Sequence, residues 1–204
     1  MKTTFTTVDV LAILSELKKS ILGLRVVQVY DVDSKTYLIK LQKHDQKNVL
    51  LLESGSRIHT TEYEWPKSPA PSGFTMKLRK HLRNKRIENI QQLGVDRIVQ
   101  LTFGSGEVEH HVILELYDRG NIILTDNNYT ILNVLRPRKE GEDVRFAVHE
   151  TYPVDRPRKA KSVPTVEELK QVLSASKENT PLKKILNPLL GMHNYLCALI
   201  SLLN

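Results

Sequence analysis

Cysteine and long apolar runs are nearly absent from the sequence. The 204 residues include one cysteine, Cys197, so no disulfide can form within the chain, which fits a reducing compartment. No apolar run reaches the roughly 18 residues of a membrane span. The first residues carry Asp9 and Glu16 in place of the apolar core of a signal peptide. These absences predict a cytoplasmic protein, with the nucleus as a second compartment, and no contact with a membrane.

The short motifs that mark common enzyme classes are missing as well. The sequence has no G-x-S-x-G, P-loop, H-E-x-x-H or C-x-x-C pattern. His110 and His111 are adjacent and point to opposite faces of a predicted strand, so they cannot share a metal ion. The sequence therefore predicts a protein without catalytic activity, cofactor, metal site or small-molecule substrate.

Acidic residues are outnumbered by basic ones. Lys and Arg total 30 against 23 Asp and Glu, which gives a net charge of +7 and a pI of about 9.4. This excess favours an anionic partner: nucleic acid, the ribosome or an acidic membrane surface. Apolar residues make up 40% of the chain, enough for the core of one large domain with a fragment of a second.

The spacing of apolar residues predicts the order helix, strands, helix, strands. Residues 7–22 have helical spacing, and three strand-like segments with a short fourth at 56–60 lead to a proline-rich loop at 66–71. A second helix is predicted over 73–86, and five strand-like segments follow between 86 and 136. This order predicts an α+β fold in which two antiparallel sheets pack face to face as a sandwich with flanking helices.

The composition changes near residue 137, where a charged and proline-rich stretch begins. We therefore predict a first domain over residues 1–155 and a linker over 156–164. Residues 165–204 are predicted to be helical, and Thr165 and Glu168 have the spacing of a capping box.

The second predicted helix carries a dense cationic cluster that contains no acidic residue. Because like charges on one helix repel, this cluster predicts an external anion, or carboxylates from another part of the fold. We favour a phosphate backbone, which supplies affinity and salt dependence rather than sequence recognition. The cluster consists of Lys77, Arg79, Lys80, Arg83, Lys85 and Arg86.

At several other positions, spacing alone favours a structural role over a functional one. Asp96 and Arg97 suit a turn aspartate beside a surface arginine, although an Arg beside a short acceptor can also bind a base edge or a phosphate. Asp9 lies in the first turn of a helix, where a carboxylate interacts favourably with the helix dipole. Tyr63 and Trp65 have the chemistry to stack on bases, but packing beneath the following loop is the favoured interpretation.

Five segments together resemble one protein family. They are similar to segments of NFACT-N, the N-terminal domain of the nuclear export mediator factor (NEMF) family, and they occur in the same order. The similarity covers about residues 1–155 almost without gaps. The segments are VYDVDSKTYLIKLQK (29–43), LLLESGSRIHTTEYEWPK (50–67), MKLRKHLRNKRI (76–87), LGVDRIV (93–99) and LELYDRGNIILTD (114–126).

The resemblance implies a function on the ribosome. Members of this family bind large ribosomal subunits obstructed by peptidyl-tRNA, recruit tRNA and extend the stalled chain without mRNA. Eukaryotic members also stabilise a listerin-type ubiquitin ligase on the subunit. The family's tail-extension residues match Asp9, Asp96 and Arg97, so the resemblance implies that these residues contact tRNA. A protein-interaction module that acts as a nuclear export adaptor is the alternative.

The resemblance also implies a fold similar to the N-terminal domain of formamidopyrimidine-DNA glycosylases. Those enzymes need an N-terminal proline nucleophile, whereas this chain begins Met1-Lys2, so base excision is not expected. Family members continue into helix-hairpin-helix and coiled-coil segments. Residues 181–190 resemble the start of that next domain and residues 191–204 depart from the family. Binding of the ligase is therefore expected to need regions that this chain lacks.

Overall fold

The computed structural model describes residues 4–141, 144–157, 165–177, 179–182 and 184–185. These ranges contain both helices and antiparallel strands, which confirms the predicted α+β class. The helices are α1 (Thr7–Ile21), α2 (Gly73–Leu82) and α3 (Val166–Ser174). The strands are β1 (Arg25–Asp31), β2 (Thr36–Lys43), β3 (Gln46–Glu53), β4 (Arg57–Thr60), β5 (Ile87–Gln92), β6 (Ile98–Phe103), β7 (His110–Glu115), β8 (Asn121–Asp126), β9 (Ile131–Val134), β10 (Arg138–Glu140) and β11 (Val144–Phe146).

Two antiparallel meanders form the framework. The first sheet has the strand order β1-β2-β3-β4, and the second has the order β5-β6-β7-β8-β9. Consecutive strands pair through short turns, as the turn residues between the strand-like segments predicted. The short fourth strand of the first sheet is present, and β10 pairs with β11 in a separate hairpin.

The two sheets share one hydrophobic core. Successive side chains of a strand point to opposite faces, and the inward sets of both sheets meet in a single buried cluster that includes Ile39, Leu41, Val112 and Leu114. Helix α1 lies against β4 and β5, and α2 lies against β1 and β9, so each helix contacts an edge strand of each sheet. The described residues thus form the predicted sandwich with flanking helices.

The outer face of the second sheet is also covered. Ile113 and Ile123 point away from the shared core and pack in a second cluster with Phe146 and Tyr152. The chain after β9 therefore folds back over the sheet and belongs to the same packed unit. Residues 158–164 of the predicted linker lie outside the described residues.

Helix α3 begins at the predicted capping box. The Thr165 hydroxyl accepts a hydrogen bond from the Glu168 backbone NH, and the Glu168 carboxylate accepts one from the Thr165 backbone NH. None of the residues of α3 is buried. The helices predicted beyond residue 180 fall mostly outside the described residues.

Helix α2 is anchored to the first sheet at its N-terminus. Ser72 caps the helix by accepting a hydrogen bond from the Thr75 backbone NH at 3.1 Å. The buried Asp31 carboxylate at the end of β1 accepts hydrogen bonds from the Ser72 backbone NH and the Thr75 hydroxyl. A carboxylate at this position also stabilises the positive end of the helix dipole.

The prediction that α2 continues to residue 86 is wrong, because the helix ends at Leu82. Arg83 is extended, and Asn84 adopts the left-handed conformation with φ of 63°. The Asn84 backbone NH then donates to the Val26 carbonyl at 2.8 Å, which draws the chain onto β1. Arg83, Lys85 and Arg86 therefore lie beyond the helix rather than on one of its faces.

Two glycines allow the backbones of the two sheets to cross in direct contact. Gly55 lies in the β3–β4 turn, and Gly120 ends the hairpin turn that the residue types at 118–120 predict. A Cβ atom on Gly120 would lie 1.9 Å from the Gly55 backbone nitrogen, well inside van der Waals contact. Both glycines also have positive φ angles, +78° and +65°.

We predict that Gly120→Ala lowers the free energy of unfolding by about 3–4 kcal/mol, because backbone overlap adds to the strain of a positive φ. The matched control is Gly106→Ala, since Gly106 has φ of +64° and open space around its Cβ position. The control should lose only about 1–2 kcal/mol. Urea unfolding of both variants measures the difference, and equal losses would contradict the assigned backbone contact.

Candidate nucleic-acid interface

Arg97 links the second sheet to the N-terminus of α1. Its guanidinium Nη1 donates a hydrogen bond to the Phe5 carbonyl at 3.1 Å, and its own carbonyl accepts one from the Leu116 backbone NH at 2.8 Å. The Phe5 backbone NH in turn donates to the Ser56 carbonyl at 2.9 Å. Arg97 is therefore hydrogen-bonded to backbone groups of two distant parts of the chain, Phe5 and Leu116, and Phe5 is itself held by Ser56.

Asp9 lies in the first turn of the same helix. Its carboxylate accepts hydrogen bonds from the Thr6 backbone NH and the Thr6 hydroxyl, both at 2.6 Å, and completes a capping box. The predicted interaction of Asp9 with the helix terminus is confirmed. Because Arg97 contacts Phe5, the residue before this cap, the structure brings Asp9 and Arg97 to the same end of α1.

Asp96 lies in the turn between β5 and β6. Its backbone carbonyl accepts a hydrogen bond from the Gln92 side-chain amide at 2.8 Å, which holds the turn in place. The residue lines a cleft of about 210 Å³ on the outer side of the second sheet, together with Glu115, Tyr152 and Arg156. Asp96 thus lines this cleft and is adjacent in the chain to Arg97.

A buried carboxylate, that of Glu115, lies at this cleft and forms an ion pair with the half-buried Arg138. The fully buried Glu115 carboxylate accepts two hydrogen bonds from Arg138, at 2.5 and 3.1 Å, and one from the Tyr152 hydroxyl at 3.2 Å. The Arg138 guanidinium also stacks over the Phe146 ring, 4.0 Å from its centroid. Burial, followed by the neighbouring Glu115 charge, raises the pKa of Tyr152, so its hydroxyl stays protonated and donates.

The six cations of the predicted phosphate-binding cluster separate into two groups. Three of them are occupied within the chain: the Arg79 side chain donates to the Val29 carbonyl at 2.8 Å, Lys85 donates to His110 Nδ1 at 2.7 Å, and Arg86 pairs with Glu88 at 2.7 Å. Of the two alternatives that the sequence left open, partners from elsewhere in the fold account for these three cations, and one of the partners, Glu88, is a carboxylate.

The other three cations form what we call the α2 basic surface: Lys77, Lys80 and Arg83. All three are exposed, and within the described part of the chain none of them has a hydrogen bond or an ion pair. No carboxylate from elsewhere in the described fold neutralises them, so this part of the cluster retains the predicted capacity for an external anion.

His81 lies beside this surface and is held in a pair with His110. The His81 Nδ1 and His110 Nε2 atoms are 3.0 Å apart, and the ring centroids are 4.9 Å apart. Burial, followed by the charges of His110, Lys80, Lys77 and Lys85 in that order, lowers the pKa of His81 to about 4. His81 is therefore neutral at pH 7, because burial and the cationic surroundings both disfavour the protonated ring.

The two adjacent histidines point in opposite directions, as the sequence predicted. His111 is buried on the other face of β7, where it stacks on the Tyr129 ring at 4.5 Å. In the described ranges no three His, Cys, Asp or Glu side chains come close enough together to hold a metal ion. Of the helices described here, none has the length and hydropathy to cross a bilayer.

Some features of the site were not predicted from the sequence. The contacts of Arg97 with Phe5, and of Glu115 with Arg138, join residues that are 92 and 23 positions apart. Only one signal pointed toward the second contact: a charged Glu115 at the end of the otherwise apolar strand segment VILE. A charged residue in such a position needs an ionic partner when buried.

Comparison with curated proteins finds close relatives in animals and fungi. The chain is 59% identical over 191 residues to mouse (Mus musculus) ribosome quality control complex subunit NEMF, which covers 93% of this chain and 18% of the mouse protein. Its identity with ribosome quality control complex subunit 2 of Saccharomyces cerevisiae is 36% over 154 residues, 74% of this chain and 15% of the yeast protein. The chain thus spans less than a fifth of the length of these relatives.

Solved bacterial structures share the fold. The N-terminal domain of fibronectin-binding protein PavA from Streptococcus pneumoniae superposes with a TM-score of 0.75 at 23% identity, covering 97% of this chain and 84% of that one. The N-terminal part of the fibronectin/fibrinogen-binding protein from Streptococcus suis gives 0.72 at 24% identity, covering 85% and 70%. At these identities the likeness concerns the fold alone.

A family model extends the match beyond the segments recognised in the sequence. It covers residues 6–201, well past residue 155, so most of the stretch 191–204 that was expected to depart from the family lies inside the match. The model describes the NFACT N-terminal and middle domains, and with the relatives above it shows that this chain belongs to the NFACT family.

Proposed function

We propose that this chain is the RNA-binding N-terminal part of a ribosome quality control factor. The proposal draws on relatives in mouse, fly and yeast that are named ribosome quality control subunits. The observation that carries it is the α2 basic surface, three exposed cations without a counter-charge in the described fold. Such a surface matches the phosphate backbone of RNA.

In this proposal the two parts of the interface have different tasks. The α2 basic surface binds phosphates and supplies affinity. Asp96 and Arg97, with Asp9 beside them at the N-terminus of α1, contact tRNA. A rigid Arg next to a carboxylate offers both donors and acceptors, so it can select one RNA group over another.

The chemistry of chain extension belongs to the ribosome, so the domain itself needs neither a catalytic group nor a cofactor. Within the full-length protein it would help to recognise large subunits obstructed by peptidyl-tRNA and to promote C-terminal tailing of the stalled chain. Recruitment of a listerin-type ubiquitin ligase would depend on regions outside this chain. We propose the cytoplasm as the compartment of this function, with the nucleus as the second compartment.

The first prediction separates tRNA contact from subunit binding. The double variant Asp96→Asn/Arg97→Ala in the full-length protein should abolish tailing, because it removes the acceptor charge and the guanidinium, while large-subunit binding stays largely intact. Tailing in a reconstituted extract and pelleting with subunits measure the two activities. Because Arg97 also holds Phe5, the unfolding midpoint of the variant must be measured alongside.

The control for this variant is Asp118→Asn/Arg119→Ala, a second Asp-Arg pair, which is exposed in the β7–β8 turn, whereas Asp96 and Arg97 are half-buried. Asn tolerates the left-handed conformation of position 118. The control should retain tailing. Equal loss of tailing and subunit binding in the Asp96/Arg97 variant would contradict a specific role for that pair.

The second prediction concerns the α2 basic surface. Reversing two of its charges in Lys80→Glu/Arg83→Glu should weaken RNA binding and reduce the salt dependence of the binding constant by about 0.7 per lost single-strand contact. Filter binding over a range of KCl concentrations measures both. The control Lys18→Glu/Lys19→Glu makes the same change in net charge at exposed positions of α1.

The control pair should leave the salt slope unchanged, because it lies on a different helix. If both pairs lowered the slope equally, binding would depend on net charge and not on this surface. Association with ribosomes that survives RNase treatment would instead favour the protein-interaction alternative.

The third prediction uses His81 as a reporter of a nearby anion. A phosphate bound at Lys77 and Lys80 stabilises the protonated imidazole, so the pKa of His81 should rise from about 4 toward its ordinary value. By linkage, RNA affinity should then increase as the pH falls through the raised pKa. Histidine ring NMR signals, followed from pH 8 to pH 4 with and without saturating RNA, test this. An unchanged titration in saturating RNA would place the phosphate elsewhere.

A further inference from the structure

A groove lies on the outer face of the first sheet, on the side away from the shared core. Its floor is formed by β1, β2 and β3, and the segment 61–67 forms its opposite wall. The wall is tied down at both ends, because the Thr61 backbone NH donates to the Val49 carbonyl and the Ser68 backbone NH donates to the Asp31 carbonyl, each at 2.9 Å. The space between them is about 340 Å³, within the range of sites that hold one small ligand or one nucleotide.

The wall presents an aromatic ring to solvent at the groove. Tyr63 is 70% exposed, and its ring meets the edge of Trp65 at a centroid distance of 5.5 Å. Trp65 itself is fixed, since its indole NH donates to the Thr61 hydroxyl at 3.1 Å. The sequence favoured packing beneath the loop for both aromatic residues, and the structure shows that this holds for Trp65 only in part and fails for Tyr63.

The groove also carries charges suited to a nucleotide. Lys40, Lys47 and Lys67 line it, and within the described residues none of them pairs with a carboxylate. Glu62 and Glu64 lie on the wall beside Tyr63. Lysines neutralise phosphate, an exposed ring provides a stacking face, and carboxylates accept hydrogen bonds from base amino groups.

The groove continues toward the α2 basic surface. The Tyr30 ring on its floor is contacted by the Lys67 ammonium at 5.0 Å and by the Arg79 guanidinium of α2 at 5.7 Å. Lys77 and Lys80 of the basic surface lie in the same helix as Arg79, although on other faces of it. The groove and the α2 basic surface are therefore linked through α2, and one RNA strand would have to pass around this helix to contact both.

We propose that this groove binds an unpaired nucleotide of RNA, with its base stacked on Tyr63 and its phosphate on Lys47 and Lys67. The site deepens the proposed RNA-binding function and is separate from the cleft at Asp96, which lies on the outer side of the other sheet. Stacking on an aromatic ring is open to every base, so the groove recognises single-stranded character rather than sequence.

Trp65 is the only tryptophan in the chain, so its fluorescence reports on this groove alone. Single-stranded octamers of uridylate and of adenylate should quench it in a saturable way, and an RNA duplex of the same length should not, because its bases are already stacked. Tyr63→Ala should weaken the quenching affinity about tenfold, and Tyr63→Phe, which keeps the ring, should retain it. Lys47→Ala should weaken it and lower the salt slope, whereas Lys18→Ala on α1 is the matched control.

The outcomes distinguish the groove from the wider proposal. Filter binding that is sensitive to Lys80→Glu/Arg83→Glu, without any quenching of Trp65 by RNA, would overturn the groove site and leave the α2 contact standing. If the Lys80→Glu/Arg83→Glu variant kept both the quenching of Trp65 by RNA and its RNA affinity in filter binding, the result would support the groove site and contradict the α2 contact. Equal quenching by duplex and single strand, or quenching by an acidic or proline-rich peptide but not by RNA, would overturn the assignment of the groove to a nucleotide.

Discussion

The contact between the backbones of Gly55 and Gly120 is the constraint on which the rest of the structure depends. It joins the β3–β4 turn of the first sheet to the β7–β8 turn of the second, and the Gly55 backbone NH donates to the Glu115 carbonyl at 3.0 Å. From this point hydrogen bonds run through Ser56 to Phe5 and from Phe5 to Arg97. The position of the arginine in the candidate site is thus set by a close approach that only glycine permits.

The same crossing fixes the floor of the cleft beneath Asp96. Glu115 uses its backbone carbonyl for the contact with Gly55 and its buried carboxylate for Arg138. A buried ion pair of this kind adds little net stability, but removal of one partner leaves an uncompensated charge. We interpret the pair as a device that holds the chain after β9 against the second sheet, where Tyr152 and Phe146 complete the cleft.

Local patterns predicted most of the fold. The helical spacing that indicated α1 included Leu14, Leu17 and Ile21, which the helix buries together with Val10. Leu11 and Leu22, which belonged to the same predicted set, are exposed. Alternating strand segments separated by turn residues indicated two meanders, because antiparallel neighbours in sequence are neighbours in the sheet. The end of α2 was missed because the residues that follow Leu82 favour a helix, and it is the tertiary pairing of Asn84 with Val26 that stops it.

The site was harder to predict, since the state of a charged residue depends on partners that are distant in sequence. Arg79 and Lys80 are neighbours in one basic segment, yet one is bound to the Val29 carbonyl and the other is exposed. Spacing gives no basis for telling them apart, so the cluster was treated as uniform. In the structure three of the six cations have no hydrogen bond or ion pair within the described residues, and other lysines line the groove beside Tyr63.

The arrangement of these surfaces constrains the ligand. Helix α2 lies against the edge strands β1 and β9. Asp96 and Arg97 lie between β5 and β6, next to the start of α1, and α1 itself packs against the edge strands β4 and β5. The groove is on the outer face of the first sheet, and the cleft at Asp96 is on that of the second. A ligand that contacts all of them must reach several sides of the sandwich. A folded RNA with helical and unpaired segments has the size to do so, whereas a short single strand does not, so the proposed function requires a folded RNA.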